Sequence, residues 1–322
     1  MRHSRHERHR TWSHAARRSE PRRPSLDADE QCLDRSARRR QALEPPGDAG
    51  SAVGRDHALV PGLGVREQDH VEWLAVQAEA RALRADRGDP LRHVLGTVMD
   101  AAAADPFVAL AGIAGATEQL RLITSVAVLP RRRPQLVAQA AATLDALSDG
   151  RFVLGIGAGG DPGDFTSFGE AFDADRIARL DADAEQIDRW LRGEGAQPVG
   201  PRPVQTPRPP IWVGGGKPGA LRRAARWDGW IGVATTEDYN AMQLTPADVA
   251  ERVATIGAER SRLGRDHEPF DVALFAHSEA GDAHMVAAYG EAGVTWWLES
   301  LSPARGPVDA LLERIEAGPP RH

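Results

Sequence analysis

The pattern of apolar and polar positions changes abruptly near Asp105. Beyond it, short runs rich in Val, Ile and Leu alternate with stretches whose apolar residues recur every three or four positions. These are the marks of buried strands and amphipathic helices. LRLITSVAVLP, from Leu120 to Pro130, reads as the first strand, and FVLGIG, IWVGG, WIGVA, DVALFAHS and TWWLES complete a set of six. Asp105 and Pro106 form an N-cap and first-turn pair for a helix with Val108, Leu110, Ile113 and Ala116 as its apolar positions. The next helix runs from Pro134 to Leu147 with Leu136, Val137, Ala140, Leu144 and Leu147 on one face, and another opens at Asp173 with a stripe through Ile177, Leu180, Ala184, Ile187 and Leu191. Further helices are expected at Pro218 to Arg226, after Thr245-Pro246, at Asp282 to Ala292 and at Val308 to Ala317. Strands apolar on both faces, each followed by a helix, imply a parallel sheet. The fold class is therefore α/β, a TIM (β/α)8-type barrel with an incomplete or aberrant N-terminal part, because two more strands can come only from before Asp105.

Three segments follow from this. Residues 1–56 are arginine-rich, have no hydrophobic periodicity and are expected to be a disordered basic tail, in which His3, His6, His9 and His14 have no scaffold to fix metal geometry. Residues 57–104 hold two strand-like pieces, HALVPGLGV and LRHVLGTVM, around a helical face through Val71, Leu74 and Ala78, and read as an aberrant start of the barrel. Residues 105–318 are the barrel domain.

Composition narrows the function. A net charge of −6 at pH 7 provides no global attraction for nucleic acid, so only the arginine-rich tail offers that alternative. Cys32 is the single cysteine, no apolar run is long enough to span a bilayer, and the N-terminus has no apolar signal core; the expected location is cytoplasmic. No HExxH, GxSxG or Cys/His cluster is present, which removes zinc and serine-hydrolase chemistry.

The candidate chemistry lies in two glycine-rich loops that follow strands. Gly155, Gly157, Gly159 and Gly160 end the strand FVLGIG, and Gly214, Gly215 and Gly216 lead through Lys217 into a helix starting at Pro218. Glycines let backbone N–H groups approach a ligand closely, so the second loop suits a phosphate and the first a flat ring. The second loop read alone is equally an ordinary βα turn, and the first is the weaker signal, with no lysine and no GxxxxGK(S/T) spacing. Glu299 and His277 stand at the C-terminal ends of their strands, where barrel enzymes carry catalytic groups, although a satisfied core histidine is the commoner outcome for a lone His; Trp296 and Trp297 point to opposite faces, one able to line the mouth and one under the helices, and core packing accounts for both as well.

Five ordered blocks carry a resemblance: DPFVALAGIAGATEQLRLITSVAVLPRRRP, QAATLDALSDGRFVLGIGAGG, DFTSFGE, PPIWVGGGKPGALRRAARWDGW and GVTWWLES. Over roughly Asp105 to Leu301 the chain resembles the bacterial luciferase-like family of flavin- or deazaflavin-dependent oxidoreductases. The resemblance implies a cofactor, FMN or coenzyme F420 with the latter favoured, at the C-terminal ends of the barrel strands. It implies Thr124, Ser125, Gly157 and Gly159 along the ring or ribityl chain, and Gly214, Gly215, Gly216 and Lys217 at the phosphate. It also implies a small-molecule organic substrate, oxygenation or hydride transfer, a reduced cofactor supplied by a separate reductase, and a homodimer. The family's Trp-Asp-His-like segment is not reproduced before Asp105, so no catalytic acid or base is assigned, and the connector Gly193 to Pro210 is short for such a barrel. A partial barrel that at most binds cofactor is the competing expectation.

Overall fold

A computed structural model describes residues 92–97, 105–195, 198–236, 241–301 and 305–320, all within one compact unit. The readings made of residues 1–91 lie outside the described residues. β1, Arg92–Thr97, falls within the expected strand LRHVLGTVM. The chain then runs through α1 (Pro106–Ala116), β2 (Leu122–Ile123), β3 (Ala127–Val128), a single 3-10 turn at Leu129–Arg131, α2 (Pro134–Leu147) and β4 (Phe152–Gly157). After α3 (Gly163–Thr166) and α4 (Arg176–Leu191) come β5 (Ile211–Gly214), α5 (Pro218–Ala224), β6 (Gly229–Val233), α6 (Pro246–Arg262), β7 (Asp271–Ala276), α7 (Ala283–Glu291), β8 (Trp296–Leu301) and α8 (Val308–Glu316).

Every strand pairing is parallel, in the order β1-β8-β7-β6-β5-β4-β2, with β3 also on β4. Because β2 and β3 share one neighbour, the curled sheet has seven stave positions, and among the described residues it stays open between β1 and β2. The α/β barrel class is thus present with an incomplete N-terminal side.

Alternation along the strands separates two cores. Val153, Trp212, Ile231, Ala273, Phe275, Trp296 and Leu298 form the cluster inside the sheet's curl. Phe152, Leu154, Ile156, Ile211, Val213, Trp230, Val272, Leu274, Ala276 and Trp297 point the other way, under the helices. The N-terminal end of the interior is filled by Trp212 and Trp296, ring centroids 5.8 Å apart, with the Arg121 guanidinium 5.8 Å from the Trp296 ring. Trp296 therefore closes the base of the interior and does not reach the mouth.

Four local expectations are corrected. The strand expected from Leu120 to Pro130 is two short pieces that end in the 3-10 turn. Helix α1 buries Phe107, Ile113 and Ala114 while Val108 is exposed, and α2 buries Val137, Ala138, Ala141 and Leu144 while Leu136 and Leu147 are exposed. Both helices carry apolar residues around most of their circumference, so spacing does not select the buried face. The fourth helix begins at Arg176, whose N–H donates to Asp173 Oδ1 at 2.9 Å, so Asp173 precedes the helix and ties its first turn. Its buried stripe, Leu180, Ala184, Ile187 and Leu191, is as expected. Asp105 caps α1 through Phe107 N at 2.9 Å, and Thr245 forms a capping box with Asp248.

Candidate active site

The C-terminal ends of the strands form the open end of the curl, and the β2–β3 segment shapes one wall of it. Leu122 and Ile123 face Phe152 and Val153, whereas Ala127 and Val128 face Ile156 and Gly157. Four steps on this strand (123 to 127) therefore match three on β4 (153 to 156), so one extra residue is inserted: a bulge of the kind found beside active sites. Thr124 closes the interrupted ladder. Its hydroxyl donates to Gly155 O at 2.8 Å and accepts from Gly155 N at 2.9 Å, so this buried side chain replaces both missing backbone bonds. Ser125, at the crest of the bulge and joined to Val126 by a cis peptide, is exposed.

Val126 explains two of the glycines. A Cβ on Gly157 would lie 2.5 Å from Val126 Cγ2, and one on Gly214 would lie 2.8 Å from Val126 Cγ1. One isopropyl group thus fills the space left by glycines on β4 and β5, making an apolar wall next in the chain to the exposed Ser125. Gly159 has φ 76°, in the left-handed region, and packs on Phe165, 2.7 Å from where its Cβ would be.

In the second glycine loop the residues divide their work. Gly215, at φ 121°, donates its N–H to Ile231 O at 3.1 Å and accepts from Trp230 Nε1 at 2.8 Å, so it fixes the turn against β6. Gly216 and Lys217 are exposed. A Cβ on Gly216 would meet Arg252 Nη1 at 2.7 Å, which brings the guanidinium from α6 against this backbone. The nearby Asp248 carboxyl is held below the usual carboxylate range, first by the Thr245 hydroxyl and backbone N–H and less by Arg252. Sequence reasoning missed Arg252, since nothing local marks a helix residue far downstream as a neighbour of the loop.

Glu299 and His277, expected together at the mouth, part company. Glu299 shares Trp297's outward side and is 2% exposed. Its carboxylate accepts from Ser278 N at 2.8 Å, Trp297 Nε1 at 2.9 Å, Arg305 Nη1 at 2.6 Å and Arg314 Nη2 at 3.2 Å. Both oxygens are engaged by donors from the end of β7, from β8 itself, from Arg305 and from Arg314 of α8, which makes Glu299 structural. His277 follows Phe275 on the inward side, with Nε2 3.2 Å from Glu279 Oε1 and its buried Nδ1 unpartnered. Thr235 Oγ1 and Ser300 Oγ are likewise buried without a partner. Leaving such atoms unmatched costs about 1–3 kcal/mol each, so their coincidence at the mouth suggests a ligand-facing lining. Period-two alternation along WIGVAT and WWLES would have singled out Thr235 and Ser300. Among the described residues there is no group of three metal-ligating side chains and no helix long and apolar enough to cross a membrane.

A curled parallel α/β sheet with glycine loops and polar side chains at its C-terminal end belongs to the barrel class whose ligands sit at that end. The chain belongs to the luciferase-like monooxygenase family, whose model matches residues 67–299. That match begins ahead of Asp105, within the segment read as an aberrant start. Uncharacterized proteins of Mycobacterium tuberculosis and Mycobacterium bovis are 38% identical over 136 residues, 39% of this chain. The match spans about half the length of these relatives, 47%. Among solved structures, the fold is similar to a monooxygenase from Streptomyces bottropensis, with TM-score 0.57 and 19% identity over 77% of this chain and 91% of that one. It is also similar to the coenzyme F420 dependent tetrahydromethanopterin reductase from Methanopyrus kandleri, with TM-score 0.59 and 16% identity over 78% and 93%. The oxygenating constituent of 3,6-diketocamphane monooxygenase from Pseudomonas putida, in complex with FMN, gives TM-score 0.50 and 15% identity over 78% and 79%.

Proposed function

We propose that the protein is an oxidoreductase that binds FMN or coenzyme F420 at the mouth of its barrel and acts on a small organic substrate. The observation that carries this reading is the approach of the Arg252 guanidinium to the Gly216 backbone just beyond β5, with the exposed Lys217 next in the chain. A guanidinium beside a side-chain-free backbone, with a second cation one residue on, suits a phosphate group, which both cofactors contain. The residues also fit the rest of such a group. Val126, with Gly157 and Gly214 flush against it, gives an apolar face for a flat ring, and the exposed Ser125 precedes it in the chain. In this reading Thr124 and Gly215 hold the wall and the turn in shape, Gly159 shapes the adjoining loop, and Gly216, Lys217 and Arg252 bind the phosphate.

When bound, the cofactor supplies the redox chemistry, either reaction of its reduced form with oxygen or hydride transfer. The chain's share is to orient it, to present an apolar wall that excludes water, and to offer polar atoms across the mouth. Whether the reduced cofactor comes from a separate reductase, and whether the protein forms a homodimer, are parts of the same proposal.

Titrating the purified protein with FMN and with F420, followed by cofactor fluorescence, tests it and chooses between the two. One of them is expected to bind, and Arg252→Ala and Lys217→Ala should each weaken it about tenfold or more, as loss of a charge-assisted hydrogen bond implies. Binding of neither cofactor would sink the oxidoreductase reading.

A further inference from the structure

The three unpartnered atoms at the mouth, Thr235 Oγ1, His277 Nδ1 and Ser300 Oγ, form a row. Val233 faces Phe275 between β6 and β7, so two residues on Thr235 is level with His277. Ala276 faces Glu299 between β7 and β8, so one residue on His277 is level with Ser300. The flanking residues turn outward: Ala234 lies in the outer core, and Ser278 Oγ meets Glu299 and Arg314 beneath α8. The row therefore faces inward, one step above Phe275 and Leu298, which close the interior beneath it. Val233, inward and one step below Thr235, is 48% exposed, so solvent reaches the step beside the row, while the row's own three polar atoms are buried.

We propose that this row is the substrate side of the mouth, that it binds the oxygen of a small alcohol or carbonyl compound, and that His277 Nδ1 exchanges a proton with that oxygen. The proposal rests on the oxidoreductase reading. Neighbouring strands lie about 4.8 Å apart, so the backbone positions that carry the row span about 10 Å, and side chains pointing into the curl converge from there onto room for one polar head. Glu279 Oε1 stands 3.2 Å from His277 Nε2, and a carboxylate only accepts, so Nε2 carries a hydrogen, and in the neutral tautomer that this contact selects Nδ1 is the acceptor. On proton transfer the substrate O–H bond breaks, an Nδ1–H bond forms, and the electron pair stays on the substrate oxygen. The Thr235 and Ser300 hydroxyls then donate to that oxygen, and Glu279 balances the imidazolium. Among the described residues the charged groups linked to Glu279 are Arg305, 3.3 Å from it and 2.6 Å from Glu299, and, through Glu299, Arg314 at 3.2 Å.

The full-length protein without cofactor, labelled with 15N-histidine, is titrated with 2-propanol, the His277 signals being those absent from His277→Gln. The alcohol is expected to shift the Nδ1 resonance. Thr235→Val and Ser300→Ala should weaken its apparent affinity about fivefold or more, read by saturation transfer to its methyl groups, with thermal melts confirming folded variants. His277→Gln should weaken alcohol binding about fivefold or more while leaving cofactor affinity within about twofold of wild type. An Nδ1 signal unmoved by the alcohol, or variants that bind it as the wild type does, would overturn the proposal. Failure of the oxidoreductase reading shows separately, as wild-type protein that binds neither FMN nor F420.

Discussion

At Gly155 there is no room for a side chain, because a Cβ would lie 1.8 Å from the backbone oxygen of Thr124. The neighbour is main chain and cannot swing aside, so Gly155→Ala must force β2 and β4 apart. We expect a loss of about 3 kcal/mol or more, at the upper end of overpacking effects, measured as a lower urea midpoint. Thr124→Val keeps the volume but removes both hydroxyl bonds to Gly155 and should cost about 1–3 kcal/mol. These residues show what a glycine in a sequence does and does not reveal. FVLGIGAGG announces a close approach, but not whether protein or ligand makes it. At Gly155 and Gly157 the approaching groups are Thr124 and Val126, contributed from some thirty residues upstream, and no local pattern carries that information. The separation of His277 from Glu299 was more accessible. Alternation from Phe275 and Trp297 places one inside and one outside, and the stronger cue of strand-end position hid it.

The helices and strands were read largely correctly from periodicity, and their buried faces less evenly. In α4 the acidic and arginine residues mark the solvent side, so the apolar stripe is unambiguous; α1, PFVALAGIAGA, has no charged residue to mark one. Charge also binds α4 to the sheet. Arg208, almost fully buried before β5, bonds Asp188 of α4 at 2.5 Å and also meets Asp228 before β6. Burial pushes the Asp188 carboxyl up, but hydrogen bonds from Arg192 and Arg208 outweigh it and hold the group below the usual carboxylate range. A carboxyl whose folded value is depressed adds stability that is fully present above its unfolded value of about 3.9 and is lost as pH falls through the folded value. Asp188→Asn should therefore lower stability by about 1–3 kcal/mol near neutral pH, and the gap from wild type should close on acidification below about pH 4. Thermal melts at a series of pH values check this, and a constant gap would show that the ion pair contributes nothing that titrates.

At the scale of the whole molecule, the absence of a strand between β1 and β2 among the described residues has a physical consequence. A strand in a closed barrel bonds on both sides, whereas among the described residues β1 bonds only β8 and the β2–β3 segment bonds only β4. The sequence anticipated the shortage, since six strands were legible after Leu120 and one more in LRHVLGTVM, but periodicity does not say where the gap falls. The register does: Arg92 faces Trp296 and Gly96 faces Ser300, so β1 fills the position beside β8 and the opening lies on its other edge. If the sheet is open there, hydrogen exchange should be graded around the curl. Amides of β5, β6 and β7, bonded on both sides, should exchange slowest, and those of β1 and the β2–β3 segment should exchange fastest. Mass-spectrometric exchange on the full-length protein, with and without the bound cofactor, resolves these segments. Equal protection of β1 and β6 would mean that residues outside those described supply an eighth stave and close the barrel. Protection of β2–β3 that rises on cofactor binding, while β1 stays unchanged, would place the ligand against the Val126 wall and leave the opening as a standing feature of the fold.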